Sequence, residues 1–172
     1  MMNFNSNLKP IYLQNEKWRK AVYYEFSSTN EGIGTITITQ MRKSEINDWE
    51  EGLLYLLQRN CYENEGWNAV EKWTLPLSNF LDFIISEGYL QQLDGKEMAA
   101  DDFLKNYHEI TNMVNNLPAF VWQRNHTPTE SIPRFNPQNI ISVISFVNRW
   151  NSRQYLIETT DDWSFLDWGT TA

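Results

Sequence analysis

The apolar residues of this chain change their period twice, and nothing else in the sequence limits the possible folds as much. In residues 18–26, Trp18, Val22, Tyr24 and Phe26 fall mostly on one alternating face, and in the following GIGTITITQ the residues Ile36 and Ile38 stand opposite threonines. A period of two is the pattern of a strand. SSTNEG lies between the two segments and supplies Ser, Asn and Gly for a turn, so they are expected to pair as an antiparallel hairpin. Residues 11–13 are the candidate for a short edge strand ahead of it.

The period then becomes 3.6. Ile46, Trp49, Leu53, Leu56 and Leu57 recur at helical spacing, with Ser44 at the position where an N-cap is expected. NEGWNAVEKW places Trp67, Val70 and Trp73 together as a second helical piece. Pro76 suits a first helical position, Leu77, Phe80, Leu81, Ile84 and Ile85 make the next stripe, and Gly88 can end it. From about Lys96 the residues Phe103, Tyr107, Ile110, Val114 and Leu117 alternate steps of four and three until Pro118 stops them.

A stretch with three prolines, QRNHTPTESIPRFNPQN, reads as an ordered crossover, because ISVISFVNRW, RQYLIETT and DWSFLDW then return to β-branched and aromatic composition. NRWNSR and TTDD supply the turns of a three-strand meander. The fold class expected is α+β: an antiparallel sheet made from an N-terminal hairpin and a C-terminal three-strand meander, packed against a central block of three to four helices. At 172 residues and 41% hydrophobic, with eight Trp, eight Tyr and nine Phe, residues 1–172 can form one globular domain with a substantial core. The single cysteine, Cys61, leaves no internal disulfide framework, and no stretch reaches the roughly 18 apolar residues of a membrane span. MMNFNSNLKP has neither a charged start nor a following apolar run, so no secretory signal is expected and the location expected is cytoplasmic.

The net charge of −8 is unevenly placed. Residues 1–43 hold six basic and three acidic side chains, residues 44–118 four and fourteen, and residues 119–172 four and five. The negative excess thus lies on the helical block. On a helical wheel Asp48 and Glu51 oppose the stripe of Ile46, Trp49 and Leu53, while Glu45 and Glu50 flank it, and none of the four has a base four residues on. Carboxylates in a first turn stabilise a helix by roughly 0.3 to 1 kcal/mol each, which accounts for Glu45 and Asp48 better than for Glu51. A coherent negative face would repel nucleic acid and attract basic proteins, above all nucleases whose substrate grooves carry Lys and Arg.

Catalytic patterns are sparse. His108 follows a core position of the longest helix, His126 lies in the crossover, and Cys61 reads as a packed thiol. There is no zinc spacing and no GxxxxGK[ST], GxGxxG or GxSxG motif, so no cofactor and no metal are expected. Asp161 and Asp162 fit a hairpin turn. Trp49, Trp67 and Trp73 fall on apolar helical faces, whereas Trp122, Trp150, Trp163 and Trp168 have no such assignment; Trp150, in a polar turn with Arg149 and Arg153, and Trp168, near the C-terminus, have little around them to cover them. The function expected is therefore that of a non-catalytic binding protein, most concretely a bacterial immunity protein or antitoxin that neutralises a basic, nuclease-like toxin by covering its substrate-binding face, with no nucleic-acid or membrane partner. Its partner-binding candidates are Glu45, Asp48, Glu50, Glu51, Asp101 and Asp102 as charges and Trp150 as an apolar anchor. Two alternatives stand beside it: an enzyme or small-ligand binder with an aromatic pocket holding carboxylates, and a protein that self-associates through a strand edge.

Overall fold

A computed structural model of the chain describes residues 16–28, 34–66, 68–69, 77–115, 121–123 and 132–170. The N-terminal hairpin is present. Strand β1 (Val22–Ser28) pairs antiparallel with β2 (Thr35–Arg42), with Tyr24 opposite Ile38 and Phe26 opposite Ile36. Trp18 lies outside the strand, buried in a 3-10 turn (Glu16–Lys20). Helices α1 (Trp49–Glu65) and α2 (Leu77–Ser86) follow. Gly66 and Gly88, both at positive φ, stand just past their ends, where a side chain would be strained.

Next come the two-residue strand β3 (Lys96–Glu97), helix α3 (Ala100–Asn115) and the short strand β4 (Val121–Gln123). The meander is β5 (Ile140–Arg149), β6 (Ser152–Thr159) and β7 (Asp162–Gly169). Among the described residues all seven strands form one antiparallel sheet in the order β3-β5-β6-β7-β2-β1-β4. The hairpin and the meander meet where β2 pairs with β7, Ile38 opposite Leu166.

The helices do not form one block. On one face of the sheet α1 and α2 pack Leu53, Leu56, Phe80 and Ile84 against Ile144, Leu156, Trp163 and Phe165. On the other, α3 packs Phe103, Tyr107, Ile110 and Val114 against Ile36, Ile38, Tyr155, Ile157, Leu166 and Trp168. Burial on both sides explains why β6 is buried without a break from Arg153 to Ile157, where a one-sided antiparallel sheet would alternate. Each Leu, Ile or Phe enclosed this way stabilises the fold by about 1.5–3 kcal/mol.

Several local expectations change. Ser44 lies in a 3-10 turn (Lys43–Glu45), and the cap of α1 is Asp48, whose Oδ1 accepts from the Glu51 backbone N–H at 2.8 Å. Residues 96–97 pair with Ile144 and Ser145 on β5, so the long helix begins only at Ala100. Trp163 and Trp168 are core residues. The proposed edge strand at 11–13, Trp67, Val70 and Trp73 of NEGWNAVEKW, and His126 lie outside the described residues, and of the Trp122 side chain nothing is described.

Candidate functional site

The acidic start of α1 is held by cations from the preceding segment. Lys20 Nζ lies 2.6 Å from Glu45 Oε2, and Lys17 Nζ lies 3.6 Å from Glu51 Oε1. Glu51 is not on the outer face of the helix. It is buried at 1% exposure, where Oε2 accepts from the backbone N–H and the side-chain amide of Asn47, each at 2.7 Å, and Oε1 accepts from the Tyr55 hydroxyl at 3.0 Å. Asp48 and Glu51 are thus a capping pair. The wheel misplaced Glu51 because it took account of the helix alone and not of residues 16–20, which cover this turn. Glu50 is half-buried. Of the four carboxylates chosen at the start of α1, Asp48 is the cap, Glu51 is buried and ion-paired, and Glu45, in the preceding 3-10 turn, is ion-paired, which leaves little of the free negative face expected there.

The remaining candidates gather elsewhere. Lys43 N donates to Asp161 O in the β6–β7 turn at 2.8 Å, so α1 begins at that end of the sheet. Trp150 and Asn151 form the β5–β6 turn at the other end of β6, eight residues away, or roughly 25 Å at the rise of a strand. Here Trp150 is 67% exposed, the largest exposure of a big apolar residue among those described. A groove of about 500 Å³ adjoins it, lined by Gln92, Lys96, Glu97, Asp102 and the β5 residues Ser145–Arg149 among others. Of its acidic lining residues Glu97 and Asp102 are exposed, as are the lining bases Lys96 and Arg149; Asp94 and Asp101, also exposed, are near them in sequence, Asp101 and Asp102 in the first turn of α3. None of these four carboxylates is in an ion pair among the described residues.

The turn is braced from both faces. On the α3 face, Arg153 is 8% exposed and donates from Nε to Arg149 O at 3.3 Å, from Nη1 to Asn106 O at 2.9 Å and from Nη2 to Glu109 Oε2 at 2.9 Å. On the α1 face, Gln154 Oε1 accepts from Gln91 N at 2.8 Å, and the Gln91 amide donates to Ser152 Oγ at 2.5 Å. Trp168 Nε1 donates to Trp150 O at 3.5 Å from beneath. These bonds hold the backbone of the turn, so a partner that covers the Trp150 indole has little backbone left to order.

A third site was missed in the sequence. The register sets Glu25 opposite Thr37, Thr37 opposite Asp167 and Asp167 opposite Gln154, so four polar side chains cross β1, β2, β7 and β6 in one row on the face carrying α1. Burial pushes the Asp167 carboxyl up to about 7, against the lowering effect of a hydrogen bond with Gln154. Thr37 Oγ1 and the buried Thr39 Oγ1 have no hydrogen-bond partner among the described residues. No local signal marks Asp167 in the sequence, because the row exists only once β2 lies between β1 and β7.

The other reactive groups are quiet. Cys61 is buried, and desolvation, with Glu65 nearby, pushes its thiol up, away from the thiolate a nucleophile needs. His108 is exposed on α3. Among the described residues no group of three or more His, Cys, Asp or Glu is placed to hold a metal ion, and no helix is long and apolar enough to cross a membrane. Comparison with models of protein families, with curated proteins and with solved structures finds no match to this chain.

Proposed function

We propose that the chain is a non-catalytic binding protein that neutralises a basic, nuclease-like toxin, as an immunity protein or antitoxin does, and that its binding surface is the β5–β6 end of the sheet and not the start of α1. One observation carries this reading: the 67% exposed Trp150, on a turn whose backbone is braced from both faces, follows the last lining residue of a groove that the exposed carboxylates Glu97 and Asp102 also line. A desolvated aromatic anchor ringed by charge is the usual composition of a binding hot spot, and carboxylates at the rim speed the approach of a cationic partner. The net charge of −8 acts in the same direction at longer range.

The test is to capture basic nucleases on the immobilised chain at low and high salt, then to assay the captured enzyme with and without added chain. A captured nuclease is expected to lose activity when the chain is added. Asp101→Lys with Asp102→Lys is expected to slow association about tenfold at low salt, and Trp150→Ala to speed dissociation by a factor on the order of 10 to 100. Nuclease activity that is unchanged by a bound excess of the chain would sink the reading.

A second reading, a small-ligand or catalytic site, is favoured by the polar row of Glu25, Thr37, Asp167 and Gln154, since a carboxyl with a raised pKa can exchange protons near neutrality.

A further inference from the structure

The row of Glu25, Thr37, Asp167 and Gln154 lies where the α1 face of the sheet stops being core. Exposure falls in steps along this face. Gly169 is exposed and Thr35 and Ser152 beside it are half-buried; Glu25, Thr37 and Asp167 are half-buried in the next row; and Tyr23, Thr39, Phe165 and Leu156 in the row after that are enclosed. Solvent thus enters from the β5–β6 end and stops at Thr39. Polar contacts frame this cleft. The Tyr23 hydroxyl donates to Glu25 Oε2 at 2.9 Å and shares a hydrogen bond with Asn64 of α1, while Gln154 Nε2 donates to Gly88 O at 3.4 Å and Tyr89 O at 3.3 Å. The last turns of α1 and residues 88–89 therefore stand at the two ends of the row, joined by the Tyr89 hydroxyl, which donates to Glu65 Oε1 at 3.0 Å.

Two features of the cleft are unmet by the chain itself. Thr37 Oγ1 and Thr39 Oγ1 are buried with no hydrogen-bond partner among the described residues, and Thr39 is 0% exposed, so its hydroxyl bears a desolvation cost that nothing offsets. The charge is also one-sided. Glu25 and Asp167 stand two strand spacings apart, about 10 Å between backbones, with Thr37 between them, and neither is in an ion pair among the described residues. The ionisable groups nearby on α1 and residues 87–89 are Cys61, Glu63, Glu65, Glu87 and Tyr89, and Arg59, the single base of α1, is held by Glu63 at 2.6 Å. Burial raises the Asp167 carboxyl to about 7, and no base lowers it again.

We propose that this cleft binds the primary ammonium group of a small organic molecule, which donates to Asp167 and Thr37 beside Glu25 while its carbon chain leaves between Thr35 and Ser152. An ammonium offers three donors and no acceptor, the complement of a row rich in acceptors. A calcium ion would need six to eight oxygens, more than two carboxyls and two hydroxyls supply. At low pH the ammonium takes the place of the Asp167 proton, which passes to solvent. The inference rests on the small-ligand reading of this row and is independent of the inhibitor reading.

The experiment titrates n-propylammonium chloride, with n-propanol and calcium chloride as controls, into the full chain with isotope-labelled backbone amides at physiological salt. Propylammonium is expected to shift the amides of residues 37 and 167 with a millimolar Kd at pH 8. It is expected to bind about 100-fold more weakly at pH 5, where only about 1% of a carboxyl titrating near 7 is ionised. Asp167→Asn, which is expected to gain stability at pH 8, should weaken binding at least tenfold and remove its pH dependence. Thr37→Val is expected to weaken it about fivefold, and Asp101→Lys with Asp102→Lys to leave it unchanged. Shifts that follow Asp101 and Asp102, or equal affinity at pH 5 and pH 8, overturn the proposal. Propanol or calcium shifting the row while propylammonium does not overturns the ammonium as ligand and spares the small-ligand reading. No shift of these amides by any of the three overturns both.

Discussion

Glu51 and Glu50 are adjacent glutamates that share a helical turn, yet one is buried at 1% exposure and the other half-buried. Removing the buried carboxylate leaves Tyr55, Lys17 and two Asn47 donors without that acceptor. Glu51→Ala is therefore expected to destabilise the protein by about 2–4 kcal/mol, read as a lower urea midpoint at unchanged slope. Trp150→Ala, at an exposed turn, is expected to change stability by less than about 0.5 kcal/mol in the same measurement. Asp167 gives a pH dependence whose sign follows from burial. Its folded pKa of about 7 lies above the ordinary 3.8, so the folded state holds the proton more tightly than the unfolded one. The stability this group lends is complete below about pH 4 and is lost as pH rises toward 7. Asp167→Asn is expected to flatten that slope, raising Tm at pH 8 by the equivalent of on the order of 2 kcal/mol while changing little at pH 4.

Elements here are anchored at their ends by single side chains. Helix α1 starts where Asp48 caps the Glu51 amide, and the Asp-x-x-Glu spacing that signals such a start was present in the sequence, four residues beyond the serine chosen from it. Asp48→Ala is expected to cost about 1 kcal/mol, and less in Asp48→Ser, by thermal unfolding. The β5–β6 hairpin depends in the same way on Arg153, which ties Arg149 to α3 through Asn106 and Glu109. Arg153→Met keeps much of the packing volume but loses those hydrogen bonds. Amide exchange at residues 149–152 is then expected to quicken at least tenfold, with exchange in β7 unchanged.

For the whole molecule, the decisive fact is that the sheet is covered on both faces. The two halves of the helical region go to opposite sides, so the negative excess of residues 44–118 is divided: its first cluster meets Lys17 and Lys20 near the β6–β7 turn, and Asp101 and Asp102 lie with α3 across the sheet. A charge count along the chain sums what the fold separates.

Periodicity by itself determined the hairpin, the positions of three helices and the meander, because burial of one face imposes a spacing of two on a strand and 3.6 on a helix whatever surrounds it. It also marked Trp150, since a tryptophan in a two-residue polar turn has little chain nearby to cover it. Only the tertiary structure decided which helix lies on which face, that Glu51 is an interior cap, and that Glu25, Thr37, Asp167 and Gln154 stand in one row. Those are relations between residues tens of positions apart. They are fixed by strand order and by the competition of several elements for the same buried surface, and no local window of sequence contains either.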